Sequence, residues 1–207
     1  MSRRILILNG SPRIHGNTAA LCDAFAEGAA GAGHEVTRFD LQSLNIHGCL
    51  GCMGGGRDAE HPCVQKDDME RIYPAYRASD IVVLASPMYY WGFSSQLKAA
   101  FDRLFAVAEL DSEYRNPVKD AVLLMAAEGN TPDNWKPVLD YYHTLLDQLG
   151  WKDRGTVLAG GVFQVGDILK DGGHEALAQA RSLASSIASF SCRPMRAAYF
   201  SARGIVN

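Results

Sequence analysis

Short aliphatic runs alternate along this chain with longer segments in which apolar residues recur every three or four positions. The runs at 4–9 (RILILN), 35–40 (EVTRFD), 80–86 (DIVVLAS), 119–127 (KDAVLLMAA) and 154–160 (RGTVLAG) predict five strands. Three of them are apolar without a break at the centre, the pattern of strands covered on both faces. Helical spacing fills the intervals. Residues 17–32 carry Leu21 and Phe25 on one face, and 69–78 form a short helix with Asp68 at its N-cap. Residues 95–105 line up Leu97, Phe101 and Leu104; 132–149 repeat the stripe with Leu139, Tyr142, Leu146 and Leu149; 175–190 do so with Leu177, Leu183, Ile187 and Phe190.

Strict alternation of strand and helix predicts an α/β fold. Its five strands make a parallel, doubly wound sheet with right-handed crossovers and helices on both faces. A chain of 207 residues suits one such domain, spanning 1–207. Sheets of this kind bind ligands beyond the carboxyl ends of their strands. The loops that follow the strands therefore carry the chemistry.

The first of these loops is NGSPRIHGNT, residues 9–18. Its glycines permit tight turns, Ser11 and Thr18 add hydroxyls, Arg13 adds charge, and Gly16 and Asn17 open the next helix. Amide N–H groups at the positive end of a helix dipole make an anion seat, and a phosphate monoester would engage several donors at once. The loop is neither GxxxxGK[ST] nor GxGxxG, which argues against a nucleoside triphosphatase and a dinucleotide fingerprint. It holds no cysteine for a thiolate phosphatase.

After the third strand comes SPMYYWGFSSQLKAAFDRL, 86–104. Three consecutive aromatics between a strand and a helix cannot all enter one core, so at least one should line a cleft or an interface. A flat conjugated ring needs such walls, together with backbone N–H groups. Lys98 and Asp102 stand four apart on the helix and read as a solvated ion pair; neither they nor Arg103 receives a catalytic role. Glu128, Gly129 and Asn130, after the fourth strand, sit where a third wall would stand, although the same residues would also make an ordinary turn.

Two motifs give the chain a family likeness: Ser11-Pro12-Arg13 with Gly16-Asn17-Thr18, and Pro87, Tyr89, Tyr90, Trp91, Gly92 leading to Leu97, Lys98, Asp102 and Arg103. The sequence resembles the NADPH-dependent FMN reductase and NAD(P)H:quinone reductase superfamily, from Arg4 to about Arg193. The resemblance implies a flavodoxin-like fold, with the second strand at one edge followed by the first, third, fourth and fifth. It implies FMN, with its phosphate on Ser11, Arg13, Gly16, Asn17 and Thr18. The flavin would lie against Pro87, Met88, Tyr89, Tyr90, Trp91 and Gly92. NAD(P)H would be the co-substrate, delivering hydride to flavin N5, and a quinone, a flavin or another small acceptor would take it up. A homodimer with the site between subunits is also implied. Gly166 and Asp167 match a turn before the family's last helix, where they would be structural.

One branch of that superfamily, the iron–sulfur flavoproteins, carries C-x-x-C-x-x-C with a fourth cysteine further on. Here GCLGCMGGGRDAEHPC (48–63) has Cys49, Cys52 and Cys63, and Lys66-Asp67-Asp68-Met69 follows; the third position of the run is Gly55. A four-iron cluster takes four thiolates. Cys22 reads as a small apolar residue of the first helix, and Cys192 is remote. The residues leave several readings open: a cluster, zinc completed by His47 or His61, a reversible thiol pair, or a loop without metal that packs at a dimer contact. Two rivals to an oxidoreductase follow: a flavin electron carrier with no turnover of its own, and a thiol redox sensor.

Composition narrows the classes further. The net charge of −3 argues against an electrostatic grip on nucleic acid or anionic lipid. No apolar run approaches the roughly 20 residues of a membrane span. The four aliphatics after the amino-terminal arginines are too few for a secretory signal core. Five cysteines without a disulfide-framework spacing suit a reducing cytoplasm.

Overall fold

Five parallel strands form one sheet: β1 (Arg4–Asn9), β2 (Glu35–Asp40), β3 (Ile81–Pro87), β4 (Asp120–Ala126) and β5 (Lys152–Ala159). Their order is β2-β1-β3-β4-β5, so the flavodoxin-like arrangement is present, with helices on both faces. The structure is a computed structural model describing residues 2–187. The helices are α1 (Asn17–Gly31), α2 (Met69–Ala78), α3 (Ser95–Arg103), α4 (Phe105–Ala108), α5 (Pro132–Leu149) and α6 (Glu175–Ser186).

The uninterrupted apolar strands are explained by a core on each side. Leu6, Leu8, Val82, Leu84 and Leu123 face α2, α3 and α5, while Ile5, Ile7, Val83, Val122 and Leu124 face α1 and α6. Side chains alternate faces along a strand, so each strand feeds both cores.

Three sequence expectations need correction. The helix expected over 95–105 divides at Leu104, whose N–H reaches back three residues to Phe101, tightening the turn there. Asp68 occupies the N-cap position of α2 but does not cap it, because its carboxylate accepts the Asn45 N–H at 2.8 Å. Asp67 takes the Met69 N–H instead, at 3.1 Å. Strand β5 begins two residues earlier than expected, at Lys152. The last three residues of the helix expected over 175–190, and Cys192, lie outside the described residues.

Chain order reverses between β1 and β3, since β1 leads outward to β2 while β3 leads to β4 and β5. The crevice at such a switch point is where an open α/β sheet takes its ligand.

Candidate functional site

At the end of β1, Asn9 Oδ1 accepts the Ser11 N–H at 3.1 Å. The Ser11 hydroxyl accepts the Arg13 N–H at 3.1 Å and donates to the Arg13 carbonyl at 2.9 Å, so it is spent on the turn itself. Gly16 is the N-cap of α1 and no side chain caps the helix. The amides of the first turn, Asn17 to Ala19, lack intrahelical acceptors and face the loop. Asn17 does not cap either. Its amide donates to the Gln164 carbonyl at 2.9 Å and its oxygen accepts the Ile168 N–H, tying α1 to the loop after β5. Arg13 lies across the same loop, with Nη1 donating to the Phe163 carbonyl at 2.9 Å. That uses one of five guanidinium donors. Thr18 is buried in the first turn. Asp167 shapes the loop after β5 by accepting the N–H groups of Phe163 and Gln164, and the Lys170 ammonium with these amides holds its carboxyl down to about 2.

After β3 the chain folds into a two-residue hairpin. Tyr89 and Gly92 exchange backbone hydrogen bonds at 3.1 and 3.0 Å, and Tyr90 and Trp91 between them have φ of +47° and +57°. Turns of this shape ordinarily hold Asn-Gly. Two bulky aromatics in the left-handed region are strained, and such strain gathers at functional sites. None of the three aromatics is buried, and Tyr90 is 97% exposed. Met88 N donates to the Ala126 carbonyl, which joins this hairpin to the end of β4.

The hairpin and the residues after β4 enclose a cleft of about 290 Å³, lined by residues 88–91, Ala127, Glu128, Gly129 and Asn134. That is near the lower end of ligand sites, roughly 300–1,000 Å³. Asn134, on the first turn of α5, has no place in the sequence reading. Its carboxamide lies where a side chain at Gly129 would stand, and its Nδ2 is buried without a protein partner. Asn130 packs elsewhere, its carboxamide covering Gly160.

Ser94 couples the first two loops. Its N–H donates to Ser86 Oγ at 2.9 Å; its hydroxyl donates to the Gly10 carbonyl at 2.6 Å and accepts the Leu97 N–H at 3.3 Å, capping α3. Ser94 is fully buried. Ser94→Ala would strand the Gly10 carbonyl and remove the cap, at a cost of about 2 kcal/mol in denaturant unfolding. Unchanged stability would show that the two loops are not coupled through this hydroxyl.

The family model for NADPH-dependent FMN reductases matches residues 3–203. The chain belongs to the NADPH-dependent FMN reductase family. Its cofactor is thus FMN and its electron donor NAD(P)H. Among its relatives is an iron–sulfur flavoprotein of Archaeoglobus fulgidus, 31% identical over 86% of this chain and 76% of that protein. Among solved structures, the NAD(P)H:quinone oxidoreductase from Methanothermobacter marburgensis superposes with a TM-score of 0.70 at 18% identity, covering 94% of this chain and all of the other. An FMN-dependent NADH-azoreductase from Bacillus anthracis, solved with FMN, gives 0.65 at 16% identity, over 89% of this chain and 99% of the other.

The residues present suit the family's cofactor. An uncapped helix start beside Arg13 offers donors to a phosphate, and an orphaned amide on Asn134 stands in an aromatic-walled cleft.

The cysteine segment of this chain is a different matter. Cys49 and Cys52 are exposed free thiols, and Cys63 is half-buried beside the Tyr73 hydroxyl. His47 and His61 lean toward Asp67 and Glu70 at 3.6 and 3.3 Å. Among the described residues no three His, Cys, Asp or Glu side chains gather as a metal-holding group. The pair Lys98–Asp102 forms as expected, at 2.6 Å on the surface. Arg103 next to it is buried, with Nη1 and Nη2 on the two oxygens of Asp67 at 2.6 and 3.1 Å and Nη1 also on the His47 carbonyl at 2.9 Å. Burial alone would raise the Asp67 carboxyl, but hydrogen bonds from Arg103 and from the His47 and Met69 amides outweigh it and hold the group below the usual range. The sequence signal for this pair was present in the matched Asp-Arg of the helix and in Lys66-Asp67-Asp68, but nothing in either motif says that they meet.

Proposed function

We propose that this chain is an FMN-dependent NAD(P)H oxidoreductase whose acceptor is a small planar molecule such as a quinone or a flavin. The observation that carries the proposal is the strained Tyr90-Trp91 hairpin beside the unpartnered Asn134 amide, around one cleft beyond the carboxyl ends of β3 and β4. When bound, FMN would supply the hydride-transfer chemistry between NAD(P)H and an acceptor. The protein's part is placement. Arg13, Gly16, Thr18 and the first-turn amides of α1 would hold the phosphate. Ser11 and Asn17 would hold that loop in shape through their contacts to Arg13, Gln164 and Ile168.

In the same reading Pro87, Met88 and Gly92 set the inner wall of the ring site, while Tyr89, Tyr90 and Trp91 form its outer face. Glu128 and Gly129 close the far side, with Asn134 donating to the ligand and Asn130 bracing the loop over Gly160. No side-chain acid or base is needed for such a transfer. Open aromatic surface beside the cleft suits a homodimer, and exposed free thiols suit the cytoplasm.

The test is a titration of purified protein with FMN, followed by anaerobic addition of NADPH or NADH. Expected are a one-to-one yellow complex, bleaching on reductant, and recovery of colour with a soluble benzoquinone. A complex that NAD(P)H leaves oxidised overturns the enzyme reading in favour of a carrier, and a protein that takes up no FMN overturns both. Asn134→Ala should weaken FMN by about tenfold, the worth of one buried hydrogen bond.

A further inference from the structure

We propose that the cysteine-bearing loop of this chain is latched by two carboxylates, Glu109 and Asp67, and takes up no iron–sulfur cluster, in contrast to what its relatives' name implies. The inference is independent of the flavin reading.

Among the described residues the thiol supply falls short first. Cys49, Cys52 and Cys63 are the three on the loop, and a four-iron cluster needs four. Cys63 packs against the core under α2 and α3, whereas Cys22 sits in the core under α1 and α6, across the sheet. Burial also pushes the Cys22 thiol up to about 12, far from a thiolate.

Space is the second obstacle. A Cβ at Gly55 would fall on Glu109 Oε2 and 2.6 Å from the Pro62 carbonyl. Glu109 Oε1 accepts the Gly55 N–H at 3.2 Å. The next residue, Gly56, has φ of +70°, donates to the Pro62 carbonyl at 2.8 Å, and lies against the Glu109 backbone. Thus the place of the third ligand is filled by a carboxylate from the residue after α4. A negative group there also opposes the charge of a thiolate-held cluster.

The other end of the loop is closed by Asp67. Besides Arg103 it accepts the His47 and Met69 amides, while Asn45 and Asp68 exchange two hydrogen bonds alongside. Gln65 donates to the Gly48 carbonyl at 3.1 Å. Arg103 and Glu109 stand at the two ends of the segment running from the end of α3 past α4, so both latches hold the loop to the segment that follows the aromatic hairpin.

The experiment is anaerobic incubation of the FMN-loaded full chain with ferrous iron, sulfide and a thiol, then desalting and analysis of iron, sulfide and flavin in one sample. Expected is less than about one iron per chain with an unaltered flavin spectrum. About four iron and four sulfide per chain would overturn the proposal. The latch is read by hydrogen exchange over residues 48–63. Glu109→Ala should speed exchange there by about tenfold or more at unchanged FMN content, while Glu109→Gln, which keeps the acceptor, should stay within about twofold. Exchange in Glu109→Ala equal to that of the native chain would show that Glu109 latches nothing.

Discussion

Replacing Arg103 by alanine should destabilise this protein by about 3–5 kcal/mol, the usual cost of leaving one member of a buried ion pair alone. Both side chains of the Arg103–Asp67 pair are about 1% exposed, so water cannot compensate the stranded carboxylate. The loss should appear as a lower urea midpoint at constant slope. Its pH dependence has a definite sign. The folded Asp67 carboxyl lies below its ordinary value of 3.8, so its contribution to stability is full above that value. It is lost as pH falls through the depressed folded value. Native protein should therefore lose this share of stability in acid, and Arg103→Ala should lack that part of the acid slope. A loss below about 1 kcal/mol at neutral pH would mean that the loop repacks without the pair. The double change Asp67→Leu with Arg103→Met should recover only part of the loss: it removes the stranded charge, but leaves the His47 and Met69 amides without their acceptor.

Tyr90→Asn with Trp91→Gly should give a more stable protein that works poorly. Each aromatic in the left-handed region costs on the order of 1 kcal/mol or more, and Asn-Gly adopts that turn without penalty. The expected gain is about 1–2 kcal/mol in unfolding free energy. Oxidoreductase kcat/KM should fall by about tenfold or more, since two of the three aromatic walls of the cleft are removed. The two readouts move in opposite directions, which separates a functional hairpin from a merely tolerated one. Full activity with raised stability would remove Tyr90 and Trp91 from the site. A drop in both would mean that their packing, and not their strain, decides the turn.

Much of the architecture is legible in the chain because strands buried on both faces need unbroken apolar runs, and RILIL, IVVL and VLLM supply them. Their alternation with amphipathic segments leaves a parallel doubly wound sheet as the arrangement that buries all of them. The loop after β1 and the aromatic turn after β3 are equally legible, since phosphate-type loops and consecutive aromatics are local in sequence. Boundaries moved by a residue or two, as at Leu104 and Lys152, and local hydrogen bonds chose between neighbouring carboxylates, Asp67 taking the Met69 amide and Asp68 that of Asn45.

The contacts that sequence reasoning passed over share one property. Ser94 reaches Gly10 across 84 positions, Arg103 reaches Asp67 across 36, and Gly55 reaches Glu109 across 54. Asn134 meets Gly129 because a turn and the start of α5 fold back over the end of β4. In the sequence Lys98 and Asp102 read as a surface pair, Arg103 beside them receives no role, and Gly55 reads only as a missing thiolate. By itself, then, the sequence determined the fold class, the loops that carry the candidate site and the absence of a thiol at position 55. Tertiary structure alone decided which polar groups are buried, whose charge is neutralised, and that Glu109 fills the space beside Gly55. The physical reason is that apolar period and turn chemistry act over a few residues, whereas desolvation and close contact exist only once distant segments have met.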